Sequence, residues 1–166
     1  WTKGEGAVLT DLDGHTYTDF LGEYSAGLYG HSNPKIQAAL KRAIDDGTVL
    51  GGPNVYEAEL AGLLKSRFPS LQSLRFCNSG TEANVFALMT AQAHTGRKKI
   101  MVFDGGYHGG VLYFGHGGIP INLPLDWVIA PYNDVEGTLD LIRRHGSELA
   151  AILVEPMLGS GGCLPA

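Results

Sequence analysis

The chain has 166 residues, 44% of them hydrophobic and 17% charged, with a mean hydropathy of +0.01. Twelve basic against seventeen acidic side chains give a net charge of −5, which argues against a non-specific nucleic-acid binder. No apolar run approaches the ~18 residues that a membrane helix needs, so the expectation is a globular domain without a membrane span. Glycine stands out, with 24 residues and no G-x-y period. That density points to many tight turns and close backbone approaches, as ligand-cradling α/β folds require. Cys77 and Cys163 are too few for a disulfide framework and form no C-x-x-C pair, so a reducing, cytoplasmic setting is expected. The chain opens at Trp1 and stops at Leu164-Pro165-Ala166, which reads as a fragment of a longer protein.

Two alternating β-prone runs within Ala7–Phe20 flank Asp13-Gly14 and predict a hairpin, with positive φ wanted at both central positions. A glycine-punctuated loop through Tyr24 to His31 follows. Asn33-Pro34 supplies an N-cap and a first-turn proline for a helix over Ile36, Ala39, Leu40, Ala43 and Ile44, stopped by Gly47. A second helix is predicted from Val55 to Arg67, with Leu60, Leu63 and Leu64 inward. From there strands and helices alternate. Strands are predicted at Leu74–Cys77, Lys99–Phe103, Asp126–Ile129 and Ala150–Glu155, and helices at Thr81–His94 and Val135–His145. The continuously apolar strands suit a sheet covered on both faces, and the alternation argues a mostly parallel α/β sheet.

The junction Phe76-Cys77-Asn78-Ser79-Gly80-Thr81-Glu82 enters a helix through small polar residues. A helix start carries unpaired N–H groups and the positive end of the macrodipole, so Ser79, Gly80 and Thr81 could hold a phosphate without a cationic side chain. The plain alternative is a capping box from Ser79 to Glu82. No G-x-G-x-x-G and no G-x-x-x-x-G-K-[ST] occurs. The next strand ends in Asp104-Gly105-Gly106-Tyr107-His108-Gly109-Gly110. In an open parallel sheet such loops share one crevice, where an aromatic face can stack on a flat heterocycle. The alternative is a mobile glycine loop. Glu155 closes an apolar strand before Pro156, as a ligand-facing acid or a solvated one. Six histidines, at positions 15, 31, 94, 108, 116 and 145, include no H-x-x-x-H pair, so no metal is expected.

Asn78-Ser79-Gly80-Thr81-Glu82-Ala83, Gly106-Tyr107-His108-Gly109 and Val154-Glu155-Pro156 occur in the order seen in class III aminotransferases. Asp11–Phe20 and Gly30-His31-Ser32-Asn33-Pro34 are similar to that family's amino-terminal segment, and the branch most resembled is the glutamate-1-semialdehyde aminomutases. The resemblance implies the fold type I architecture of pyridoxal-phosphate enzymes. Residues 1–48 would be a piece of the small domain and residues 49–166 a partial cofactor-binding large domain. It implies that Ser79, Gly80 and Thr81 hold the phosphate of pyridoxal 5′-phosphate and that Tyr107 stacks on its ring with His108 beside it. Glu155 would lie near its hydroxyl side or position neighbouring groups. Tyr24, Ser25, Ala26 and Gly27 would line the substrate pocket, and Gly51-Gly52-Pro53-Asn54 would lie near the active site across a homodimer interface.

The Schiff-base lysine and the aspartate that pairs the pyridine nitrogen are expected downstream of Ala166, since none of the six lysines falls in a matching motif. The whole enzyme would move an amino group between a small amino donor and a carbonyl acceptor, or within one substrate. The fragment alone is expected to be inactive. Family aminomutases usually carry an asparagine near the position of Gly159-Ser160, which this chain lacks. Two other readings remain open at this point: a phosphate- or cofactor-binding module without catalysis, and a nucleotide-dependent α/β enzyme.

Overall fold

The structure is a computed structural model that describes residues 1–166. They form two compact units, Trp1–Ser70 and Leu71–Ala166.

The first unit begins with a three-stranded antiparallel sheet, β1 (Lys3–Glu5), β2 (Val8–Thr10) and β3 (Thr16–Thr18), in that spatial order. Lys3 faces Thr10 and Val8 faces Thr18. The expected hairpin is thus β2–β3, but its turn is wider than the two-residue form. Asp11 Oδ1 accepts from the amides of Asp13 and His15 at 3.0 and 2.9 Å, and the Asp11 amide donates to the His15 carbonyl. Organised by that carboxylate, the loop needs positive φ at Gly14 (88°) and not at Asp13. A 3-10 turn (Gly22–Ser25) follows.

Helices α1 (Pro34–Asp46) and α2 (Val55–Arg67) start where the caps predict. The Asn33 side chain accepts from the amides of Lys35 and Ile36, and that of Asn54 from Glu57. The expected inward packing of α2 is not found: Leu60 and Leu63 are 46% and 58% exposed, and no residue of the unit is buried. Neither α1 nor α2 has a sheet or helix face within Trp1–Ser70 large enough to cover its apolar side chains.

The second unit is built on a parallel sheet of order β5–β4–β6, with β4 (Lys99–Phe103) between β5 (Asp126–Ala130) and β6 (Leu149–Ile152). Side chains alternate across β4, so its two faces build two cores. Ile100 and Val102 pack with Leu88 of α3 (Gly80–Thr95), Leu112 and Tyr113. Met101 packs with Val128, Ala130 and Leu149, against Leu141 and Ile142 of α4 (Val135–His145). The apolar run of β4 is therefore covered on both faces, as its composition predicts.

Leu74–Cys77 does not form the expected strand. Both sides of β4 are taken, and neither free edge, of β5 or of β6, pairs with this run. Beyond β6 the Leu153 amide still donates to Met101, after which the chain leaves the sheet at Glu155. A short antiparallel pair, β7 (Met157–Leu158) and β8 (Leu164–Pro165), follows. No helix is long and apolar enough to cross a membrane.

Candidate active site

The start of α3 forms the cap and still leaves hydrogen-bond donors free. Ser79 Oγ accepts from the Glu82 amide at 3.1 Å, and Glu82 Oε2 accepts from the Asn78 amide at 2.7 Å, so the capping box is formed. Capping uses lone pairs of the Ser79 hydroxyl and leaves its proton free. Thr81 Oγ1 likewise accepts, from the Gly110 amide at 3.2 Å, and keeps its proton. The amides of Gly80 and Thr81 make no hydrogen bond within the chain. Two hydroxyl protons and two amides therefore converge on the positive end of a 16-residue helix, with no lysine or arginine among them.

Two residues of α3, three apart and thus on one helix face, tie it to the loop after β4. Thr81 holds Gly110, and Asn84 Nδ2 donates to the His108 carbonyl at 2.8 Å. Asn84 lies in the Asn78–Asn84 stretch but has no role in the sequence reading; its spacing from Thr81 is the signal that would have found it. At Gly109 the contact is so close that a Cβ would lie 2.5 Å from Thr81 Oγ1.

Glu155 anchors the same loop from the end of β6. Its Oε1 accepts from the Tyr107 amide at 2.6 Å, its Oε2 from the Gly159 amide at 3.1 Å, and its carbonyl from the Tyr132 hydroxyl at 2.9 Å. The carboxylate is therefore engaged by backbone on both oxygens. The Tyr107 ring, half exposed, stands edge-on to Phe114 with centroids 5.4 Å apart. It borders an open cleft of about 670 Å³ whose wall also includes Asp104, Phe114, His116, Tyr132 and Ser160. Asp104 and the His116 ring are hydrogen-bonded at 2.8 Å, a contact the sequence did not suggest, and it holds the Asp104 carboxyl below the usual aspartate range.

His108 is 7% exposed, and its Nε2 has no hydrogen-bond partner. Gly106 packs closely against it: a Cβ there would lie 3.1 Å from the Phe103 carbonyl oxygen, 3.2 Å from Nε2 and 3.6 Å from Glu155 Oε1. Burial pushes the imidazole pKa below the ordinary histidine value, against an upward pull from the Glu155 charge. The unfolded chain then takes up a proton that the folded chain refuses, and stability falls as pH drops through the unfolded value of about 6.5. The loss continues until pH reaches the depressed folded value. His108→Gln is expected to flatten this dependence. Urea midpoints measured on either side of about pH 6.5 check it, and equal slopes for wild type and variant reject a neutral buried imidazole.

The structure thus ties the loop after β4 to the α3 start through Thr81 and Asn84 and to Glu155 through the Tyr107 amide, while of Ser79, Gly80, Thr81, Tyr107, His108 and Glu155 only Tyr107 lines the open cleft. The other predicted group, Tyr24 to Gly27, lies in the first unit on and just after the 3-10 turn, with Tyr24 and Ser25 at positive φ. None of the six lysines borders the cleft; Lys99, for example, is bonded to Glu148 at 2.9 Å. Asp11, Asp13 and His15 place possible ligand atoms within 4.8 Å of one another, but Asp11 is already occupied by two amides and the Tyr17 hydroxyl.

Comparison with known proteins points to one family. Residues 1–114 match the family described as aminotransferase class-III. The beta-phenylalanine transaminase of Variovorax paradoxus is 53% identical over 163 residues, covering 98% of this chain and 38% of that protein. A crystal structure of the beta-phenylalanine aminotransferase from that organism superimposes with a TM-score of 0.94 over 99% of this chain and 38% of its own. The glutamate-1-semialdehyde 2,1-aminomutase of Heliobacterium modesticaldum is 39% identical over 177 residues, covering 98% and 41% of the two chains. A structure described as a transaminase with PLP bound is 34% identical, with a TM-score of 0.89 over 99% of this chain and 42% of its own. The chain therefore spans about two-fifths of the length of these relatives.

Proposed function

Because the chain belongs to the class III aminotransferase family, we propose that the whole protein is a pyridoxal 5′-phosphate-dependent transaminase that moves an amino group from a small amino donor to a carbonyl acceptor. The observation that carries this reading is the joining of the α3 start to the Tyr107 loop through Thr81 and Gly110. The donor set fits a phosphate monoester: Ser79 and Thr81 each keep a hydroxyl proton, and the Gly80 and Thr81 amides are free. The unpartnered Nε2 of His108, packed against Gly106, is in keeping with a polar, glycine-lined wall beside it.

In this reading Ser79, Gly80 and Thr81 bind the phosphate, and the Tyr107 ring forms a platform for the pyridine. Glu155 acts through backbone, fixing Tyr107 by its amide. When bound, the cofactor would supply an electron sink for removal of the proton on the substrate carbon that bears the amino group. His108, buried and neutral, keeps water from the platform's inner edge. The lysine that takes up that proton and the aspartate that holds the pyridine nitrogen protonated lie, in this proposal, outside residues 1–166. Residues 1–48 belong to a small domain and 49–166 to the large one. The uncovered leucines of α2 are in keeping with burial elsewhere in a homodimer.

Transfer between two molecules is favoured over transfer within one. Identity to the transaminase relative is 53% against 39% to the aminomutase, and Gly159-Ser160 lack the asparagine of the aminomutase pattern. The substrate class proposed is a β-amino acid with an aromatic group on its amine-bearing carbon. The test incubates the full-length protein with pyridoxal phosphate, β-phenylalanine and 2-oxoglutarate and follows glutamate formation. Borohydride reduction of the loaded protein is expected to label a lysine outside residues 1–166. Cofactor binding without glutamate or any other amino transfer would favour a binding module, and a stable label on one of these six lysines would overturn the site.

A further inference from the structure

Asp19 follows β3, His31 precedes α1, and both are bolted to the β1–β2 turn. The Asp19 amide donates to the Ala7 carbonyl at 2.8 Å, while His31 exchanges backbone bonds with Gly6 at 2.8 and 2.9 Å. The Asp19 side chain is 9% exposed and fully used. Its Oδ1 accepts from the amides of Leu21 and Gly22 at 2.9 and 3.0 Å, and its Oδ2 from His31 Nε2 at 2.7 Å. These donors, the Gly22 amide foremost and then His31 and Leu21, hold the carboxyl below the usual aspartate range, so it remains an acceptor. The His31 ring packs directly over Gly4 of β1, where a Cβ would lie 2.7 Å from its Cγ.

Directly after the two Asp19-bound amides the backbone turns left-handed at three successive residues that carry a Cβ: Glu23, Tyr24 and Ser25, with φ of 49°, 53° and 78°. L-residues disfavour that region, and three in a row persist only where surrounding bonds dictate the path. The Gly27 amide closes the turn on the Gly22 carbonyl at 2.9 Å, and that glycine's own amide is one of the two held by Asp19.

From this geometry the structure assigns Asp19 and His31 as positioning residues, a clasp that holds the Glu23–Ser25 turn in its left-handed form so that Tyr24 and Ser25 meet the amino substrate in one pose. The assignment deepens, and rests on, the reading of Tyr24 to Gly27 as substrate contacts. Neither Asp19 nor His31 touches substrate. Their contribution is preorganisation: loss of the clasp lets the turn relax, and the substrate must then order it on binding.

The test uses the full-length protein carrying Asp19→Ala, with His31→Ala and His31→Gln alongside. In Asp19→Ala the amides of residues 21–27 are expected to exchange with solvent about tenfold faster or more, with α3 unchanged. KM for β-phenylalanine rises about tenfold, while kcat stays within about threefold and pyridoxal phosphate affinity is unaltered. His31→Ala moves the same readouts, and His31→Gln, which keeps a side-chain N–H donor, restores them. Should Asp19→Ala fail to fold, His31→Ala, which leaves both amide bonds of Asp19 in place, decides instead. Unchanged exchange overturns the clasp, as does faster exchange with an unmoved KM, or a parallel fall of kcat and cofactor affinity. If the wild type transfers no amino group, the functional reading fails, and the exchange arm alone decides whether the clasp exists.

Discussion

Replacing Ser79 and Thr81 together by alanine is expected to weaken the full-length protein's hold on pyridoxal phosphate by about two to four decades. In the proposed site a phosphate dianion would meet no lysine or arginine of residues 1–166, so these residues would balance its charge with hydroxyl protons, two free amides and the α3 dipole. Hydrogen bonds to a charged group contribute about 1.5–3 kcal/mol each, and one decade of affinity corresponds to about 1.4 kcal/mol. The free amides of Gly80 and Thr81 remain in the double variant, so binding weakens without vanishing. Ser79→Ala also removes the cap on the Glu82 amide, at a cost to stability of about 1 kcal/mol. Equilibrium dialysis separates the two effects, since a destabilised but folded protein keeps its affinity. An unchanged dissociation constant in the double variant removes Ser79 and Thr81 from the phosphate site.

Gly109→Ala is the second large effect. The new Cβ would sit 2.5 Å from Thr81 Oγ1 and 2.7 Å from Thr81 Cα, at a φ of 133° that favours glycine. A side-chain hydroxyl can rotate away; a Cα in the first turn of a helix cannot. Either the loop lifts from α3 or the helix start shifts, and both break the Gly110-to-Thr81 bond. Overpacking of this kind costs about 1–3 kcal/mol, with a further ~1 kcal/mol from the backbone conformation. Cofactor affinity is expected to fall with the urea midpoint, because the displaced residues are the proposed ligands. Gly62→Ala is the contrast. That position has open space in the middle of α2, and alanine there is expected to stabilise by about 0.5–1 kcal/mol with no change in affinity. Full affinity in Gly109→Ala would show that the loop and the helix start do not act as one site.

Where a feature depends on neighbours in the sequence, the residues announce it. The boundaries of α1, α2 and α4 follow from Asn33-Pro34, Asn54 and Asp134, each of which accepts from an amide two or three residues on. The run of β4 declares its double burial by having no polar alternation. Where a feature depends on a distant partner, the residues are silent. Leu74–Cys77 has strand composition but no edge to pair with. Lys3–Glu5 has no strand pattern yet pairs with β2. Leu60 and Leu63 are spaced for burial, which spacing alone cannot provide.

The candidate site divides the same way. Ser79, Gly80 and Thr81 are legible because a helix start is a local event. The engagement of Glu155 by the Tyr107 amide spans 48 positions and is visible only in three dimensions. That bond is in keeping with the second of the two roles expected of Glu155, the positioning of neighbouring groups. The Asp19–His31 pair shows the same limit: both residues stand in recognisable motifs, and nothing in either motif says that they meet.

Trp1–Ser70 contains not one fully enclosed side chain. Ordering a stretch of that length costs more conformational entropy than its half-covered hydrocarbon can offset. Trimmed away and expressed by itself, the segment would behave as a sticky, largely unstructured peptide. Its hairpin and its left-handed turn thus have their own hydrogen bonds but no core beneath them, and any attempt to transplant the turn into another scaffold must carry Asp19 and His31 along and supply that core.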